Sequence, residues 1–157
     1  MRLLMDSDCL IKLTKAGLKE PICRYEKITI PIIVKREVVD AGRNKGYADA
    51  EMIEMNIQNG LIALAEEGSA RHLKGDQSLI ETYKEGRYSG IATDDAKLTC
   101  ILRAAHIPFI LPALLIIAIY KKGDIDRETG LEWLNKLSPF ISEDEYSLSR
   151  LLLEEKS

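Results

Sequence analysis

Apolar and polar positions along this chain switch between two periods. Leu3-Leu4-Met5 is a short apolar run that stops at Asp6. After Ser7-Asp8 the apolar positions resume at helical spacing through Leu10, Leu13 and Ala16, with Gly17 placed to end the helix. A second short helix is expected over residues 18–25, with Pro21 tolerated in its first turn. Lys27-Ile28-Thr29-Ile30 reads as a second strand closed by Pro31, and Ile32, Ile33, Val34, Val38 and Val39 then continue at helical spacing. That spacing puts Glu37 on a helix, not a strand. Residues 42–46 read as a basic turn, 47–58 as a helix stopped by Asn59-Gly60, and Leu61-Ile62-Ala63-Leu64 as a third strand.

The second half repeats the rhythm. Residues 66–75 read as a connection, and Asp76 stands where an N-cap belongs, before a helix with Leu79, Ile80 and Tyr83 on its apolar face. Gly90-Ile91-Ala92-Thr93 is a fourth strand ending at Asp94-Asp95. Leu98, Ile101, Leu102 and Ala105 form the i, i+3, i+4, i+7 stripe of a helix lying on a sheet. Pro108-Phe109-Ile110 is a short fifth strand, and helices are expected over 114–122, 127–137 and 143–153. Short strands alternating with longer helices predict an α/β fold with a parallel sheet covered on both faces, because a parallel crossover needs a helix-length connection. No repeat or linker divides the chain, so residues 1–157 read as one domain.

Composition alters this picture only in part. With 46% apolar and 30% charged residues the chain has the makings of an ordinary packed core. A net charge of -3 argues against holding nucleic acid by overall positive charge, which needs many Lys and Arg on phosphates. The charge is uneven, however. Residues 1–50 carry ten Lys/Arg against seven Asp/Glu, and residues 124–157 carry four against nine, so a polyanion would meet the N-terminal third more comfortably. Cys9, Cys23 and Cys100 form no Cys-x-x-Cys pair and have only His72 and His106 to help, so neither a disulfide framework nor a zinc site is indicated. Each sits among apolar residues and is expected to be a buried free thiol. The first residues do not read as a signal peptide, and the apolar run 107–120, interrupted by Pro108 and Pro112, is shorter than the ~20 residues of a membrane span. A cytoplasmic protein is expected.

The candidate chemistry lies in the acids. In a parallel α/β sheet, ligands gather at the carboxyl ends of the strands. Asp6 closes the first strand, Asp94-Asp95 close the fourth, Asp76 opens the helix before the fourth, and Glu37 lies on the helix after the second. If the first and fourth strands are neighbours, these acids meet at one crevice. Crowded carboxylates repel one another unless a cation sits among them, and oxygen-only ligation suits Mg²⁺ or Mn²⁺. Taken singly, each acid also has an ordinary explanation: Asp6 and Asp76 as helix caps, Glu37 as a surface charge.

Together the motifs Asp6-Ser7-Asp8, Pro31-x-x-Val34-x-x-Glu37, Gly75-Asp76-x-x-Leu79-Ile80 and Thr93-Asp94-Asp95 resemble those of the PIN domain, a metal-dependent ribonuclease fold that includes VapC-type toxins. The likeness covers residues 2–110, and residues 111–157 resemble a C-terminal helical extension of one archaeal and bacterial subgroup. The resemblance implies a three-layer sandwich around a five-stranded parallel sheet of order 3-2-1-4-5. It implies a catalytic set of Asp6, Glu37, Asp76, Asp94 and Asp95, with Asp6, Asp76 and Asp94 or Asp95 on one or two Mg²⁺ or Mn²⁺ ions. The motif maps the fourth acid onto Asp95, yet strand alternation lets only one of Asp94 and Asp95 point into the pocket and leaves open which. Ser7 and Thr93 are expected to orient neighbouring carboxylates and Asp8 to cap the first helix. The implied substrate is RNA, guided by Lys12, Lys15, Lys35, Arg36, Arg43 and Lys45, residues that a solvated basic face explains equally well, and the implied partner is an antitoxin protein; a second copy of the chain is expected from the apolar stretch 110–120.

Two other readings stand beside this one. Asp6-Ser7-Asp8 is literally the Asp-x-Asp of haloacid-dehalogenase-like phosphatases, with Asp6 as nucleophile and Asp8 as acid/base, but Thr29 and Lys74 are poorly placed for the rest of that set. A non-catalytic module of the same fold, binding RNA or protein without cutting, is the other. His72 reads as a surface residue, His106 as a helix-end residue favoured by the dipole, and Trp133 with Leu131, Leu134 and Leu137 as helix packing. The apolar stretch 110–120 reads as core or as a homodimer face.

Overall fold

The computed structural model describes residues 1–40, 48–65, 68, 73 and 75–155. Its centre is a five-stranded, all-parallel sheet in the order β3-β2-β1-β4-β5, the expected order. The strands are β1 (Arg2–Met5), β2 (Lys27–Ile30), β3 (Ile62–Leu64), β4 (Gly90–Ala92) and β5 (Phe109–Ile110). β1 lies in the middle, in register with Lys27 at Arg2 and with Gly90 at Leu3. Being covered on both faces, it is apolar without alternation: Leu3, Leu4 and Met5 are all buried.

Successive side chains of a strand point to opposite faces, and two separate cores result. Leu3, Met5, Ile28, Ile30, Ile62 and Ala92 face one layer. That layer holds α1 (Ser7–Lys15), α2 (Lys19–Tyr25), α3 (Ile32–Lys35) with the π-helical turn Arg36–Asp40, and α4 (Ala48–Gln58). Leu4 and Ile91 face the other layer, made of α5 (Gly75–Glu85) and α6 (Ala96–Ala104) and filled by Leu79, Leu98 and Leu102. The expected helix over 47–58 begins at Ala48 in the described residues, and the basic turn 42–46 lies outside them.

The last three helices, α7 (Pro112–Lys121), α8 (Arg127–Leu137) and α9 (Glu143–Glu154), join the larger core. α7 contributes Leu115, Ile116 and Ile119, none of them exposed, and is covered by Leu134, Leu137 and Leu153. Most of the apolar stretch 110–120 is therefore core, while Ile110, Leu114 and Tyr120 are half-buried at its edge.

Two glycines show how backbone chemistry fixes this arrangement. Gly17 takes φ 73° after α1, and the Gly17 and Leu18 amides close back on Thr14 and Leu13 at 3.1 and 2.9 Å, ending the helix where the sequence predicts. Gly90 lets β4 and β5 approach: a Cβ there would lie 2.8 Å from the Pro108 carbonyl oxygen. One expectation about the cysteines is corrected: Cys9 and Cys23 are buried, but Cys100 is exposed on α6. Among the described residues no helix is long and apolar enough to cross a membrane.

Candidate active site: an acidic crevice at the carboxyl edge

The chain leaves β1 toward β2 and β3 on one side and returns to β4 on the other, so the order of the sheet reverses between β1 and β4. A crevice at the carboxyl edge of the strands forms at such a reversal. The Asp6 amide donates to the Ala92 carbonyl at 3.2 Å, which extends the β1–β4 pairing by one residue and sets Asp6 beside the end of β4. Thr93 and Asp95 follow directly. The resulting crevice, about 220 Å³, is lined by Asp6, Ser7 and Asp8 after β1, by Ile33, Val34 and Glu37 from one layer, and by Gly75, Asp76 and Leu79 from the other, with Asp95 from the end of β4.

Asp6 sits at its base with both carboxylate oxygens occupied. Oδ1 accepts the Cys9 amide at 2.9 Å, and Oδ2 accepts a short hydrogen bond from the Thr93 hydroxyl. Thr93, fully buried, in turn accepts the Asp95 amide at 3.1 Å. The expectation that Asp8 caps the first helix is therefore corrected: Asp6 is the N-cap of α1, and Asp8 lies exposed in the first turn. The reason is geometric. A cap reaches the amide two or three residues on, and with the helix opening at Ser7 that position belongs to Asp6. Burial, followed by the nearby charges of Asp8 and Asp94, raises the Asp6 pKa from 3.8 to about 6 despite the Thr93 and Cys9 hydrogen bonds that lower it.

The other acids arrive from different elements. Glu37 is carried by the π turn Arg36–Asp40, which continues α3 with one extra residue per turn, and it accepts a short hydrogen bond from the Ser7 hydroxyl. Asp76 lies in the first turn of α5, which opens at Gly75, so it is not the N-cap that its position suggested. There it lends negative charge to the helix N-terminus and lines the crevice. Asp95 is the N-cap of α6, its Oδ1 accepting the Leu98 amide at 2.8 Å.

Asp94 goes elsewhere. Its side chain is 9% exposed, pairs with Lys12 Nζ at 2.6 Å and is not among the residues that line the crevice. Lys12 also stands 4.0 Å from Asp8, so the ammonium lies between a buried acid and an acid of the crevice. Burial opposes its charge, but the Asp94 hydrogen bond and charge outweigh this and raise its pKa. The sequence offered Lys12 as a guide for RNA; the structure gives it an acidic partner inside the molecule. Lys15 and Arg36 are exposed as expected and Lys35 is half-buried, while Arg43, Lys45, His72 and Lys74 lie outside the described residues.

Glu145 is the group that sequence reasoning missed. It is buried, and its Oε2 accepts the Ala113 amide at 3.0 Å in the first turn of α7, whose own N-cap, Leu111, makes no side-chain hydrogen bond. Burial raises its pKa first, and the Asp94 charge adds to this. In the sequence it is one of three consecutive acids, Glu143-Asp144-Glu145, and only the tertiary contact distinguishes it.

Five carboxylates line the crevice, and among the described lining residues none is basic. Among the described residues no group of three or more His, Cys, Asp or Glu side chains converges tightly enough to be a ready-made metal site. The donor chemistry nevertheless fits a hard cation: oxygen only, with Asp6 partly desolvated and crowded by like charge. Mg²⁺ is ordinarily held by one or two carboxylates and several waters, and so does not need three converging side chains. The chain matches no protein-family model, no curated protein and no solved structure.

Proposed function

We propose that this protein is a PIN-type ribonuclease that hydrolyses RNA phosphodiester bonds at the acidic crevice with Mg²⁺ or Mn²⁺. One observation carries the reading: Asp6, Glu37, Asp76 and Asp95, singled out by motif spacing on four separate segments, line the same crevice at the point where the strand order reverses. In this reading Asp6 and Asp95 would hold the cation, with Asp76 and Glu37 beside them in the same crevice. When bound, such a cation supplies Lewis acidity toward a phosphate oxygen and toward a water molecule. Thr93 keeps the Asp6 carboxylate in place from below. Ser7 does the same for Glu37, which accepts a proton from the attacking water. Lys15, Lys35 and Arg36 offer positive charge to the RNA backbone. A role as the toxin of a toxin–antitoxin pair, with a small protein partner, follows from the same family resemblance.

The test is calorimetric titration with Mn²⁺ of the wild type and of Asp6→Asn, beside cleavage of a labelled single-stranded RNA. Heat and cleavage with the wild type, both reduced at least tenfold by Asp6→Asn, are expected. Absence of both with the wild type would reduce the crevice to a non-catalytic binding module. Hydrolysis of small phosphomonoesters that survives Asp76→Ala but not Asp8→Ala would instead favour the phosphatase reading.

A further inference from the structure

Two adjacent acids leave β4, and the structure treats them oppositely. Asp95 caps α6 and faces the crevice, whereas Asp94 is turned inward, with its Oδ2 on the Lys12 ammonium at 2.6 Å and its Oδ1 buried without a hydrogen-bond partner. A buried carboxylate with one oxygen unpartnered is held by whatever neutralises it, and the cation on it is Lys12. Lys12 is also fixed from its own side, one helical turn beyond Asp8 on α1, with Leu10 and Leu13 packed in the core around it. We infer that Lys12 is a positioning residue of the crevice: it pins Asp94 outside the cation-binding space and thereby leaves Asp95 as the only acid of the pair that serves there. This rests on the nuclease reading for the cation, but the pinning itself does not.

The alternative available to the chain is concrete. With a neutral side chain in place of Lys12, the Asp94 carboxylate loses the only cation among the described residues in hydrogen-bond contact with it and stands one residue from the crevice acid Asp95, so it either stays buried at a cost or turns toward the crevice. A lysine is suited to hold it back, since its ammonium is a compact point charge that also reaches Asp8.

The experiment combines thermal melts with Mn²⁺ titration of the full chain. In wild-type background Asp95→Asn is expected to weaken Mn²⁺ binding at least tenfold and Asp94→Asn less than threefold. In the Lys12→Met background Asp94 is released, and Asp95→Asn should then cost less than threefold; a loss of tenfold or more in both backgrounds would overturn the pinning. Lys12→Arg, which keeps the charge, should retain both the melting temperature and the Mn²⁺ affinity within those limits. Lys12→Met lowers the melting temperature, and adding Asp94→Asn should recover at least half of the loss, because the pair then leaves together. Should Lys12→Met fail to fold, the double variant must fold; a double variant that stays unfolded, or melting shifts that simply add, overturns the inference. A wild type that takes up no Mn²⁺ sinks the nuclease reading alone, and the melting cycle then decides the pinning.

Discussion

The carboxylate of Asp6 holds the first turn of α1 through Oδ1 and the end of β4 through Oδ2, and it does so in a place that raises its pKa to about 6. An acid whose folded pKa lies above its unfolded value favours folding at low pH, and that contribution is lost as pH rises through the folded pKa. For Asp6 the window runs from 3.8 to about 6, and a shift of that size corresponds to about 3 kcal/mol against the folded state once the group is ionised. Asp6→Asn keeps the capping oxygen for the Cys9 amide while removing the charge, and its side-chain amide nitrogen donates to the Thr93 hydroxyl oxygen in place of the acceptor that Asp6 Oδ2 supplied. In the presence of a chelator the variant is therefore expected to melt above the wild type at pH 7 to 8, with the gap narrowing as pH falls toward 5. Denaturant titrations at pH 5 and pH 7.5 measure this; a variant less stable than the wild type at pH 7.5 contradicts it. Which of two neighbouring side chains points where was not legible in the sequence. Asp94 and Asp95 are the same residue type in adjacent positions, and the choice between them is made by Lys12, 82 residues away in the chain.

At the scale of elements, the period of the apolar positions located every strand and helix of the described sheet, because burial on one stripe or on both faces leaves its mark in residue type. What it did not show is the form of the helix ends. Val34, Val38 and Val39 are all buried as helical spacing predicts, yet the segment from Arg36 to Asp40 is wound as a π turn. An extra residue in a turn changes the direction of the side chain it carries, here Glu37, without changing the apolar pattern much. His106 is similar: the helix stops there as read, but the residue takes φ 57° to close the turn, a backbone role that its side chain does not announce. Caps supplied from elsewhere are equally silent. Glu145 gives α7 the N-terminal hydrogen bond that Leu111 cannot make, and it does so as a buried acid with a raised pKa. Glu145→Ala leaves the Ala113 amide buried and unsatisfied and should cost about 2 kcal/mol. Glu145→Gln retains the acceptor without the buried charge and should cost less than half as much. Chemical denaturation at pH 7 compares them; equal losses would mean that the charge, not the hydrogen bond, is what α7 requires.

For the molecule as a whole, the question is whether residues 111–157 are an addition to the fold or part of it. The larger core answers through its membership. Leu115, Ile116 and Ile119 of α7, Leu134 and Leu137 of α8 and Leu153 of α9 belong to the same buried cluster as Leu3 and Met5 of the central strand. They are each 1% exposed or less. Burying a Leu or Ile side chain contributes about 1.5–3 kcal/mol, and a domain of this size is stable by only about 5–15 kcal/mol in total. Removing α8 and α9 takes away three of these side chains and uncovers the outer face of α7, a loss comparable to the entire stability. It also removes Glu145, and with it the cap of α7 and a buried acid that feels the charges of both Asp94 and Lys12. A chain ended after Gly123 is therefore expected to lose its cooperative thermal transition, measured by far-ultraviolet circular dichroism, and to bind a hydrophobic dye that the full chain does not. A truncated chain that still melts sharply within ten degrees of the full one would show that the sheet with its first seven helices stands alone. The crevice would then owe nothing to the C-terminal helices. With the transition lost, the carboxylates at the sheet edge and the helices some forty residues further on are one cooperative unit, and a substitution deep in α8 or α9 acts on the crevice through the stability of the whole.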